Sequence, residues 1–130
     1  MDSSRNYDWS NKSILIADDE LHNFIILEKA MKKTNIKVFH AENGEEAVKI
    51  FKENPYIDVI LMDIRMPEMG GLEATKYIRS VNRNIPIIAF TAYALSDDEA
   101  IALEFGCDDY ISKPVRPDYL LKKINEHLTK

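Results

Sequence analysis

Asp63 stands at the exit of the most apolar run in the chain, IDVILM at residues 57 to 62, and Asp18 and Asp19 stand at the exit of another, SILIA at 13 to 17. Carboxylates in that position can attack phosphorus or hold a hard cation. Two further runs also end on polar groups: PIIAFT, at 86 to 91, closes on the hydroxyl of Thr91, and DDYIS, at 108 to 112, is followed by the ammonium of Lys113. An acid nucleophile, a cation to neutralise phosphoryl oxygens, and a Lys and a hydroxyl to hold them make up a phosphoryl-transfer site. Taken singly, each group has an ordinary reading. Asp18 and Asp19 fit a solvated pair at a helix N-terminus, Thr91 a β-branched strand residue, and Lys113 a solvated loop lysine. Those readings leave Asp63 without an explanation, and the joint placement at successive strand ends favours the site.

The elements that must position these groups follow from periodicity. Strands are expected at 13–17, 36–41, 57–62, 86–91 and 108–112, alternating with amphipathic helical patterns. The first helix spans 20–33. The second spans 44–53 behind an N-cap at Asn43, and the third spans 72–80. A fourth starts at the capping box Ser96 to Glu99 and stops at Gly106, and a fifth begins at Pro117. Five βα units imply a doubly wound α/β fold with a five-stranded parallel sheet. The first, third and fourth strands read as buried on both faces, whereas Lys37 and His40 in the second and the polar start of the fifth suit edges. The expected order is 2-1-3-4-5, a flavodoxin-like arrangement whose ligands bind at the switch point between strands 1 and 3. That crevice receives Asp18, Asp19 and Asp63. Two carboxylates about 4 Å apart repel by roughly 4 kcal/mol at an effective dielectric near 20, so the cluster calls for a cation or a raised pKa. Mg²⁺ suits it better than Ca²⁺, which wants more oxygens, or Zn²⁺, which wants His or Cys.

Composition narrows the function classes. The 130 residues suffice for one domain with a sizeable core, and a net charge of −5 argues against nucleic acid as the partner. The single cysteine, Cys107, fits a reducing compartment. No long apolar run or leader-like segment is present, so a cytoplasmic protein without membrane contact is expected. Residues 1–12 read as a polar tail or linker remnant and 13–130 as the domain.

The motifs ILIADDE, AENGEEAV, VILMDIRMPEMGGLEA, PIIAFTAYA and CDDYISKP, in this order, resemble the receiver domains of two-component response regulators, most closely those of hybrid sensor histidine kinases and phosphorelays. The resemblance runs over residues 13 to 128. It implies that Asp63 is the phosphoacceptor, taking a phosphoryl group from a histidine kinase or a histidine phosphotransfer protein. It implies Mg²⁺ held by Asp19, Asp63 and the backbone carbonyl of Arg65, with Asp18 acting through water. Thr91 matches the switch hydroxyl, Tyr110 the switch aromatic, Lys113 the phosphoryl contact, and the Lys113–Pro114 bond is expected to be cis. The implied output is a remodelled face of the fourth helix, fifth strand and fifth helix, through which a phosphorylation-dependent homodimer could form. A signalling domain of this kind supports its own phosphorylation and dephosphorylation and is not otherwise an enzyme.

The chain departs from the family pattern at Gly70, where Asp is frequent before Gly, and carries Arg65 and Tyr93 two residues beyond Asp63 and Thr91. Those two flank the path of the attacking water and are expected to tune hydrolysis of the acyl phosphate. Alternative functions are an aspartate-nucleophile phosphatase for small molecules, weakened because Arg65 replaces the second acid such enzymes use, a flavodoxin-type carrier, and a receiver-like scaffold. A carrier is weakened by the acids where FMN phosphate would bind. His22, His40 and His127 read as scattered, Cys107 as a buried filler, and Asn23 as facing either the crevice or the surface.

Overall fold

A computed structural model describes residues 7–64, 66, 70–91 and 98–129. The elements are β1 (Ser13–Ala17), α1 (Leu21–Met31), β2 (Lys37–Ala41), α2 (Gly44–Glu53), β3 (Val59–Asp63), α3 (Gly71–Val81), β4 (Ile87–Thr91), α4 (Asp98–Glu104), β5 (Asp109–Ser112) and α5 (Pro117–Leu128). All strand pairs are parallel, in the order β2-β1-β3-β4-β5. β3 and β4 are buried throughout, as strands covered on both faces must be, while β2 and β5 keep partly exposed positions at the edges.

Side-chain alternation splits each central strand between two cores. Leu15, Ile60, Met62, Ile87 and Ala89 pack under Val48, Phe51, Ala74, Ile78 and Ala102, on the side of α2, α3 and α4. Ile14, Ile16, Leu61, Ile88 and Phe90 pack under Phe24, Leu27, Met31, Leu120 and Ile124, on the side of α1 and α5.

Local chemistry sets several boundaries. Asn43 caps α2 by accepting from Glu46 N at 2.8 Å. The first helix ends before residue 33 because the chain tightens into a 3₁₀ turn at Lys32–Thr34, closed by Asn35 in the left-handed region. The Thr34 hydroxyl secures that turn by donating to Met31 O at 2.6 Å. Gly106, at φ 113°, supplies the positive φ that turns the chain out of α4 toward β5. Ser96, half of the capping box expected there, lies outside the described residues.

Residues 7–12 are packed along the domain. Trp9 is buried in the α1/α5 core, stacks on Tyr7 at 5.1 Å and donates from Nε1 to Asn125 Oδ1 at 3.3 Å. Its backbone N–H donates to Thr34 O at 2.7 Å. A lone Trp in a polar stretch gives no periodicity to read, yet its indole finds an apolar groove with an acceptor at one end.

Candidate functional site

Strand register brings the polar ends together. Ala17 lies level with Met62, so the next residues, Asp18 and Asp63, leave adjacent strands side by side. Asp63 pairs with Phe90 and Thr91 with Ser112, which puts the Thr91 hydroxyl and the residue after β5, Lys113, at the same end of the sheet. Carboxylate oxygens of Asp18, Asp19 and Asp63 all lie within 4.8 Å of one another. Asp18 and Asp63 are buried and Asp19 is exposed.

Lys113 bridges the two buried acids, its Nζ donating to Asp63 Oδ2 at 3.0 Å and to Asp18 Oδ2 at 3.2 Å. Burial works against the ammonium, but the hydrogen bonds and charges of Asp63 and Asp18 outweigh it and hold the Lys113 pKa above its ordinary value. The Phe90 ring, 5.0 Å from Nζ, adds a cation–π contact. Among the described residues, one ammonium against three carboxylates leaves two negative charges in this cluster. With an all-oxygen donor set, that balance fits a hard divalent cation.

Asp18 is held on every polar group. Its N–H donates to Ala41 O at 3.0 Å, its Oδ1 accepts from Glu20 N at 2.9 Å, and its backbone oxygen lies 3.0 Å from His40 Nε2. Below Asp63 the chain is set by Gly71 at the start of α3. A Cβ there would overlap the Asp63 backbone oxygen and come within 2.6 Å of Ile64 Cα, so only glycine lets the helix approach the strand exit this closely.

The remaining sequence candidates fall as follows. Thr91 is fully buried at the end of β4. Tyr110 lies on edge strand β5 opposite Ala89, half-buried against the α2/α3 core. Lys113–Pro114 is cis, as expected. Arg65 and Tyr93 lie outside the described residues. Asn23 donates to Glu20 Oε1 at 2.6 Å on the surface. The contacts that His40 and Phe90 make with the site, and the close approach at Gly71, are not readable in the sequence. Their partners are a backbone carbonyl, an ammonium from the loop after β5 and a backbone oxygen, none of which leaves a periodic trace.

The fold and site define a class: doubly wound α/β proteins with three acids and a bridging lysine gathered at the switch point of the sheet. The response regulator receiver domain profile matches residues 14–125. The hybrid signal transduction histidine kinase I of Dictyostelium discoideum is 37% identical over 92% of this chain, which spans 7% of that protein's length. The polar-differentiation response regulator DivK of Brucella anthropi is 35% identical over 90% of the chain and 96% of its own length. In the Saccharomyces cerevisiae co-crystal of the histidine phosphotransfer protein Ypd1 with the receiver domain of Ssk1, the similar chain is 35% identical with a TM-score of 0.84, covering 91% of this chain and 89% of that one. This chain belongs to the response regulator receiver domain family and is a receiver domain of two-component signalling. No described helix is long and apolar enough to cross a membrane.

Proposed function

We propose that Asp63 accepts a phosphoryl group from a phosphohistidine carried by a histidine kinase or a histidine phosphotransfer protein. The observation that carries this reading is the Asp63 carboxylate, buried at the C-terminal end of β3, bridged to Asp18 by Lys113 and within 4.8 Å of Asp18 and Asp19 carboxylate oxygens. In the reaction an Asp63 carboxylate oxygen attacks phosphorus. The new P–O bond forms as the P–N bond breaks, and the bonding pair leaves on the imidazole nitrogen, which takes up a proton.

Asp19 and Asp63, the backbone carbonyl of Arg65, and Asp18 through water would hold Mg²⁺. The ion would supply the positive charge that offsets the phosphoryl oxygens. Lys113 would pass from the Asp63 carboxylate, one of the two it now contacts, to a phosphoryl oxygen, and the Thr91 hydroxyl would donate to another. Tyr110, half-buried on β5 beside α4, would follow Thr91 and change the face made by α4, β5 and α5, with a phosphorylation-dependent homodimer as one output. We assign residues 13–130 to the receiver and residues 1–12 to a preceding segment that Trp9 ties into the α1/α5 core.

The test is intact mass after incubation with acetyl phosphate and Mg²⁺. One added phosphoryl group, about 80 Da, should appear in the wild type and be absent from Asp63→Asn and from an EDTA control. An adduct of equal yield in Asp63→Asn would refute the assignment.

A further inference from the structure

We propose that His40 is a positioning residue for the acid pair Asp18 and Asp19, and through them for the divalent cation they would hold; this rests on the phosphoacceptor reading above. His40 is the fourth residue of β2, level with Ile16 of β1. Alternation along the strand turns it to the same face as Val38, the side covered by α1 and α5. Its ring lies flat on Phe24 of α1, with centroids 3.8 Å apart and planes 8° from parallel. In that pose Nε2 reaches across the end of β1 to the Asp18 backbone oxygen at 3.0 Å. A carbonyl oxygen can only accept, so Nε2 carries the proton.

The peptide unit carries the consequence to the acids. The carbonyl of Asp18 and the N and Cα of Asp19 share one plane. Fixing the direction of that carbonyl fixes ψ of Asp18 and, with it, the positions of the Asp19 N and Cα. Asp18 is already held from its own N–H by Ala41 O and through Oδ1 by Glu20 N. Asp19 has an exposed side chain, so packing does not offset a shift of its Cα, and where its carboxylate starts from depends on the plane that His40 holds. Residues that orient metal ligands from behind set affinity without touching the ion.

Two variants separate the stack from the hydrogen bond. His40→Phe keeps a flat ring against Phe24 and removes the donor, whereas His40→Gln presents an amide N–H near the position of Nε2. Mg²⁺ affinity by titration calorimetry is expected to weaken about tenfold in His40→Phe and to stay within about threefold of wild type in His40→Gln. Wild-type affinity in His40→Phe, or equal weakening in both variants, would overturn the role of His40 alone. A wild type that binds no Mg²⁺ would overturn the metal reading itself and this role with it. Should His40→Phe fail to fold, the wild-type ring decides: long-range ¹H–¹⁵N correlations with the proton on Nε2 support the bond, and a proton on Nδ1 overturns it.

Discussion

The two ends of the β-sheet both gather charge, and they treat it oppositely. At the N-terminal end Arg79 donates to Gly106 O from Nε at 3.0 Å and from Nη2 at 2.8 Å, and from Nη1 to Ile85 O at 2.6 Å and Asn82 O at 3.3 Å. Its Nη2 also meets Asp108 Oδ2 at 2.6 Å, the same oxygen that accepts from Ile87 N at 2.9 Å. One positive charge faces one negative charge, and loop carbonyls with few other donors are satisfied. At the C-terminal end, among the described residues, three carboxylates share one ammonium. The first cluster is arranged to hold the α3, α4 and β5 connections together. The second keeps an excess of like charge that costs stability and suits a bound cation. Charge compensation thus separates the structural cluster from the one proposed to react.

The largest effect that would sharpen this contrast is at Arg79. Arg79→Ala should destabilise the fold by about 3 kcal/mol in urea unfolding, mostly through carbonyls left without donors and only slightly through the half-exposed ion pair with Asp108. It should leave the identity of the phosphorylated residue unchanged. Gly71→Ala acts at the opposite end. The added methyl has to displace the Asp63 backbone, so a loss of about 2 kcal/mol is expected together with slower phosphorylation by acetyl phosphate.

Asp63→Asn should move stability the other way. Two repulsions, from Asp18 and Asp19, disappear against the weakening of one attraction to Lys113. A gain of about 1 kcal/mol in metal-free buffer is expected after screening of the exposed Asp19. Saturating Mg²⁺ should narrow that gap by stabilising the wild type more than the variant. A destabilised Asp63→Asn protein would break the comparison.

A smaller effect concerns β5 and α5. Burial would raise the Asp109 carboxyl, but hydrogen bonds from His127, the Tyr110 N–H and Lys123 outweigh it and hold its pKa below the ordinary value. A carboxylate lowered in the folded state contributes stability above its unfolded pKa, about 3.9, and loses it as pH falls through the lower folded value. Asp109→Asn should therefore show a shallower loss of thermal stability below about pH 4. Least affected should be Cys107. Burial, opposed by the Thr75 hydroxyl, pushes its thiol up to about 11, so iodoacetamide at neutral pH should label it only after unfolding.

Much of this is legible in the sequence. Continuous β-branched runs marked β1, β3 and β4 as central, and Lys37 and His40 marked β2 as an edge. Asp18, Asp19, Asp63 and Lys113 could be grouped because the fold gathers strand ends, so a polar residue after an apolar run carries its location with it. Arg79 could not be grouped in this way, because four of its five hydrogen bonds go to backbone carbonyls in loops. The His40 contact with Asp18 and the docking of Trp9 against Asn125 were hidden for a related reason. They depend on where the chain returns in space, which neither the local period nor the residue type records.

The most direct test of the central claim is to locate the phosphoryl group. Borohydride reduces an acyl phosphate to the alcohol, so an aspartyl phosphate becomes homoserine at the modified position. Peptide sequencing by mass spectrometry after phosphorylation and reduction should find homoserine at position 63, with Asp18 and Asp19 unchanged. Homoserine at 18 or 19, or a phosphoryl adduct that resists borohydride, would contradict the account.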